Sequence, residues 1–147
     1  MYRYHEDGSL PKNGEVFVFG SNLAGIHGAG AAKVAMERFG AIYGRGFGPQ
    51  GEHRSYAIPT KGLDLRFALS LGQIKGYVDE FVKYTQNLAA KAEVENFPSL
   101  KFFVTRIGCG FAGYTDEEIA PLFRGAQNCS FASKWKPYLE NENEIGS

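Results

Sequence analysis

Apolar and polar positions alternate along the chain in three successive strand-then-helix units. "EVFVFGSN", Glu15 to Asn22, is β-branched and aromatic and lies between "PKNG" and a glycine, so it predicts a buried strand. From Ala29 to Phe39, the residues Ala32, Val34, Ala35, Met36 and Phe39 recur at spacings of three and four, which predicts a helix stopped by Gly40. Tyr56, Ala57 and Ile58 predict a second strand, ended by Pro59 because proline cannot donate to a central ladder. Between Ser70 and Glu93, Ile74, Tyr77, Val78, Phe81, Val82, Leu88 and Ala89 keep helical spacing behind a capping box of Ser70 and Gln73, predicting the longest helix. "LKFFVTRIG", Leu100 to Gly108, is apolar up to Arg106, as in a strand covered on both faces. Thr115 and Glu118 then form the Thr-x-x-Glu signal of a helix start, weakened by Pro121, since an interior proline costs about 3 kcal/mol.

Three such alternations predict an α/β fold, a three-layer α/β/α sandwich with a mixed, largely parallel sheet. Ligands of such sheets collect at the carboxyl ends of the strands. "GSNLAGIHGAG", "PTKG" and "GCGFAGY" all fall at those ends and are expected to converge on one cleft. "AIYGRGFGPQGEHR", residues 41–54, is too rich in glycine for a regular element and reads as a long turn or flap.

Composition narrows the classes. The chain has 147 residues, with 16 basic and 16 acidic side chains, so no net field draws it to nucleic acid or an anionic membrane. It reads as one domain, residues 1–139, followed by an acidic tail, residues 140–147, too poor in apolar residues to repay its ordering. Two cysteines, no secretory leader and no apolar run near the roughly 20 residues of a membrane helix predict a cytoplasmic protein without membrane contact. The 19 glycines cluster in the turns, which suits close approach of backbone amides to phosphates. Neither Gly-rich turn ends in the Gly-Lys-Ser or Gly-Lys-Thr of a P-loop. Gly46, Gly48 and Gly51 match Gly-x-Gly-x-x-Gly, but loop and strand follow where the dinucleotide fingerprint opens a helix, so the match is read as chance.

"SNLAGIHGAGAA" resembles the macrodomain signature, in which an asparagine at a strand end precedes small residues, glycines and a helix. "AIPTKG" and "RIGCGFAGY" resemble two blocks of one macrodomain branch, that of the DNA-ADP-ribose glycohydrolase antitoxins and the terminal-ADP-ribose protein glycohydrolases. The likeness spans Glu15 to Gln127 in outline, carried by three short blocks. The whole chain also looks like a group of small bacterial and phage-associated proteins with "VFGSN", "HGAGAA", "AIPTK" and "RIGCG". The resemblance implies a small-molecule ligand of ADP-ribose type, free or as an ADP-ribosylated group on protein or DNA. No cofactor is expected, and no metal, since His5, His27 and His53 lack metal-ligand spacing.

Residue by residue, the resemblance puts Asn22 on the distal ribose and the Gly28, Ala29 and Gly30 amides on the diphosphate or that ribose. Gly108, Cys109, Gly110, Phe111, Ala112 and Gly113 would form the facing diphosphate loop, and Thr60 would precede a catalytic Lys61. The implied chemistry is lysine attack at the anomeric carbon, which breaks its bond to the modified target and releases that target, through a Schiff-base-type adduct that water resolves. A lysine becomes nucleophilic only when desolvation or a neighbouring charge favours its neutral form. Two departures bear on this. Phe111 and Ala112 stand where the protein glycohydrolases carry an aspartate after Gly-Cys-Gly. "YRYHEDGSLP" shows neither the extra first strand of macrodomains nor the Gly-Asp-Ile turn whose aspartate holds adenine, so an N-terminus shortened relative to that fold is expected, with Asp7 or Glu6 as substitutes.

Each residue also has a plainer reading. Asn22 can cap neighbouring backbone, His27 can sit on a loop surface with a phosphate contact as its minority role, and Lys61 can be a solvated lysine. Cys109 reads as a small packed residue, lacking a matched histidine for nucleophilic work. Arg106 reads as half of an ion pair, Asp116 as a helix-dipole partner, and Phe47 and Phe111 as core or as rings stacking on a ligand base. Two functions from different classes remain open: an ADP-ribosyl glycohydrolase using Lys61, and a non-catalytic binder or sensor of an NAD-derived nucleotide in phage–host conflict.

Overall fold

A computed structural model describes residues 2–140 except Asn13. Six strands form one mixed sheet in the order β1-β6-β5-β2-β4-β3. These are β1 (Arg3–His5), β2 (Val16–Asn22), β3 (Gly48–Gln50), β4 (Ser55–Lys61), β5 (Phe102–Val104) and β6 (Cys129–Ala132). All neighbouring pairs are parallel except β3 with β4. The helices are α1 (Gly30–Arg38), α2 (Leu71–Glu95), α3 (Asp116–Ile119) and α4 (Lys136–Leu139), with short 3-10 turns at Ala120–Phe123 and Ser133–Trp135. The chain is therefore α/β, with its longest strands, β2 and β4, paired side by side within the sheet.

Alternation along β2 separates two apolar clusters. Phe17 and Phe19 join Ala57, Phe103 and the α1 residues Ala32 and Ala35. Val16 and Val18 join Tyr56, Ile58, Phe102, Val104 and the α2 residues Ile74, Val78 and Phe81, with Phe123 and Trp135 packed into the same cluster. Successive strand side chains point to opposite faces, so α1 and α2 are held against opposite faces of the sheet.

The α2 capping box forms as read: Ser70 Oγ accepts from the Gln73 amide at 3.2 Å and the Gln73 side chain accepts from the Ser70 amide at 2.9 Å. Thr115 and Glu118 form the second box, but α3 stops after one turn and passes into the 3-10 turn that contains Pro121.

Four expectations are corrected. β4 runs through Pro59 to Lys61, because β3 ends its pairing at Gly48 opposite Ala57 and no strand beyond it claims the missing donor. β5 ends at Val104 rather than Gly108, where Thr105 and Arg106 turn toward the strand ends, the Thr105 hydroxyl donating to Val18 O at 2.8 Å. The stretch 41–54 is not a loose flap: β3 lies inside it, and its loop is fastened to the turn after β2. A strand is present in "YRYHEDGSLP", where none was expected: β1 pairs with β6 from Arg3↔Ser130 to His5↔Ala132. Of the predicted tail, residues 141–147 lie outside the described residues, whereas Glu140 is fixed as an acceptor of the Tyr4 hydroxyl.

Candidate functional site

The carboxyl ends of β1, β2, β4 and β5 open onto one cleft of about 630 Å³. Each strand leaves the sheet through a turn that cannot stay regular. After β2, Asn22 closes a loop on itself: its Nδ2 donates to Ile26 O and its Oδ1 accepts from the Ile26 amide, both at 2.9 Å. Asn22 lines the cleft but is only 7% exposed, so its amide is spent first on shaping the turn. Gly28, Ala29 and Gly30 then form the cleft wall and lead into α1.

No side chain caps α1 and no acid lies in its first turn. Its opening amides have no partner inside the helix and their dipoles sum to a positive end, a site that favours an anion. The turn after β5 lines the same cleft. Its internal bonds run from Cys109 N to Arg106 O, from Gly113 N to Gly110 O and from Tyr114 N to Gly108 O, so the amides of Gly110, Phe111 and Ala112 donate to none of them. Gly108 has φ +78°, and a Cβ there would stand 3.1 Å from Ile119, which ties this turn closely to α3. Two stretches whose amides are not used within their own turn or helix thus line the one cleft.

Phe111 bridges these stretches. Its side chain is 74% exposed, yet a Cβ on Gly30 would lie 3.0 Å from its ring, and Lys61 Nζ sits 5.5 Å from the ring centroid. Lys61 ends β4, with its carbonyl accepting from Leu23 N at 2.9 Å, and Thr60 is turned inward with its hydroxyl on Ser21 O at 3.2 Å. The structure therefore brings together Asn22, Gly28, Ala29, Gly30, Thr60, Lys61, Gly108, Cys109, Gly110, Phe111 and Ala112. Gly113 lies outside the lining, behind the turn it helps to close.

His27 is the larger correction. It is 0% exposed and does not line the cleft. Its Nε2 lies 3.1 Å from Ile42 O and 3.2 Å from Arg45 O, and since carbonyls only accept, that nitrogen carries the proton. The ring, set edge-on to Phe19, braces the 41–54 loop rather than meeting a ligand or solvent. Gln50 braces the same loop, its Oε1 accepting from Ile42 N and its Nε2 donating to Arg45 O. Glycine makes the seam possible. A Cβ on Gly25 would fall 2.3 Å from the Gly44 carbonyl carbon, and one on Gly46 would fall 2.0 Å from Asn22 O.

The far end of the cleft joins Asp7, offered by the sequence as a substitute acceptor, to His5 and Phe103, which the sequence reading did not single out. His5, stacked on Phe103 with ring centroids 3.7 Å apart, joins Phe17, Ala31 and Val34 in an apolar arm between the sheet and α1. Burial pushes the His5 imidazole below its ordinary value, with nearby acids acting the other way. Asp7 also lines this end, beside Arg106. The Arg106 guanidinium donates to both Asp116 oxygens, at 2.9 and 2.8 Å, and to Asp7 Oδ2 at 3.0 Å. Asp116 accepts in addition from Trp135 Nε1 at 2.7 Å, so it faces the core network and not the cleft. Burial raises its carboxyl more than any single neighbour lowers it, but the hydrogen bonds from Arg106, Trp135 and Cys109 with the Arg106 charge together hold it below the usual carboxylate range. The half-buried Cys109 thiol is pushed up to about 12, first by burial and then by Asp116, so it is no thiolate nucleophile at neutral pH.

Among the described residues, no three His, Cys, Asp or Glu side chains come together as metal ligands do, and no helix is long and apolar enough to cross a membrane. No family model and no curated protein matches the chain.

Proposed function

We propose that this protein binds ADP-ribose, or an ADP-ribosylated group, in the cleft at the strand ends. The observation that carries the reading is that two stretches with unused backbone amides, the uncapped start of α1 and Gly110, Phe111 and Ala112, line one cleft. A diphosphate between them would take donors from both. The apolar arm beside His5 and Phe103 suits a nucleobase, with Asp7 as the acceptor for an adenine amine, and the mouth beside Lys61 and Phe111 suits the distal sugar. The cleft volume of about 630 Å³ lies within the range of sites for ligands of that size. The three sequence blocks that resemble macrodomain glycohydrolases supply the walls, which is the second support.

Thermal unfolding with and without ligand tests binding. ADP-ribose at 100 times its dissociation constant adds about 2.7 kcal/mol, which raises the midpoint by several degrees in a chain of this size. An unchanged midpoint at millimolar ADP-ribose refutes the reading.

For chemistry, Lys61 is the one amine among the described residues that line the cleft, and attack at the anomeric carbon, with hydrolysis of an ADP-ribosyl linkage, is the role it would take. The binder or sensor reading has its own observation. Among the described residues lining the cleft, Asp7 is the single carboxylate, and it is bonded to Arg106 at the other end, so no acid stands beside Lys61 to manage protons. Release of ADP-ribose from modified protein or DNA, compared between wild type and Lys61→Ala, separates the two. A loss of 100-fold or more, about 2.7 kcal/mol of transition-state stabilisation, is expected of the enzyme. Release that is absent in wild type, with ADP-ribose still bound, assigns the cleft to sensing.

A further inference from the structure

The strand β1 is three residues long, lies at the sheet edge and pairs with β6 alone. The segment that follows it, residues 6–10, is largely exposed, and Ser9 bonds back only to Glu6 within it. Among the described residues, one side-chain hydrogen bond ties that segment to another element: Asp7 Oδ2 to Arg106 Nη1, at 3.0 Å. Arg106 is itself immobilised by the two bonds to Asp116, and Asp116 by the indole of Trp135, whose side chain is fully buried. A chain of four side chains thus runs from the core to the exposed segment at the far end of the cleft. Asp7 lines the cleft, and with Oδ2 engaged its Oδ1 has no hydrogen-bond partner among the described residues.

We propose that Arg106 is a positioning residue: by fixing Asp7 through one oxygen it aims the other at the base end of the ligand, and so sets preference for a base with an amino donor over one with a carbonyl. This inference rests on the function proposed above. A carboxylate held at one point rewards a donor and repels a carbonyl, whereas a carboxylate on an untethered segment is solvated and discriminates little. Asp7 touches the ligand; Arg106 acts through it.

The test is a double-mutant cycle on Asp7 and Arg106, with titration calorimetry of two ligands, ADP-ribose and its hypoxanthine counterpart, inosine diphosphate ribose. Wild type is expected to favour ADP-ribose by about tenfold or more, the size of one hydrogen bond to a charged group. Asp7→Asn and Arg106→Gln should each reduce that preference to within about twofold, and the double variant should show no further change, because both act through one acceptor. Arg106→Lys keeps the charge but not the fork that spans two carboxylates, so it should lose the preference as well, and it stands in if Arg106→Gln does not fold. Folding is followed by the Trp135 near-UV signal. A merely structural Arg106 would weaken both ligands alike and leave their ratio intact; that result, or a further loss in the double variant, overturns the inference. Wild-type protein that binds neither ligand overturns the proposed function instead.

Discussion

Glycines that look alike in the sequence have opposite tolerances. Gly28 faces the cleft with nothing within 4 Å of an added Cβ, whereas on Gly46 that atom would collide with the Asn22 carbonyl oxygen at 2.0 Å. The neighbour is backbone and cannot rotate aside. Gly46→Ala is therefore expected to cost at least about 3 kcal/mol and Gly28→Ala less than about 0.5, read as shifts of the urea midpoint at constant slope. At this scale some of the site was legible. An asparagine followed by glycines at a strand end announced a shaped turn, and Asn22 makes it. His27 was not legible, because whether an imidazole meets solvent or two distant carbonyls depends on residues 15 and 18 positions further on, brought back by the 41–54 loop. Asp7 and Arg106, separated by 99 positions, pose the same difficulty.

Elements with a long period or a cap could be read directly. The α2 helix, 25 residues long, repeats its apolar face many times and begins with a reciprocal cap. Ser70→Ala removes one bond of that cap and should lower stability by about 1 kcal/mol, measured by thermal or urea unfolding. Short strands escape such reading. β1 is "RYH" and β3 is "GPQ", three residues each, too brief for alternation to rise above chance, and β3 contains both glycine and proline. Their strand character comes from neighbours: β6 for the first, β4 for the second. Pro59 was misleading for the same reason, since its tolerance depends on where β3 stops.

Across the whole molecule, the α/β alternation and the convergence of three Gly-rich turns followed from local pattern, while the order of strands did not. The sheet places β1 beside β6, with Arg3 opposite Ser130. That adjacency has a consequence for how the protein is made. During synthesis, β2, α1, β4, α2 and β5 can assemble in the order they emerge, but β1 has no partner until β6 has left the ribosome. The Asp7 segment stays unanchored for that interval, and Arg106 has Asp7 to hold only after β1 docks. The nascent protein would build the turns after β2 and β5 early and the Asp7 end of the cleft only once β6 is in place.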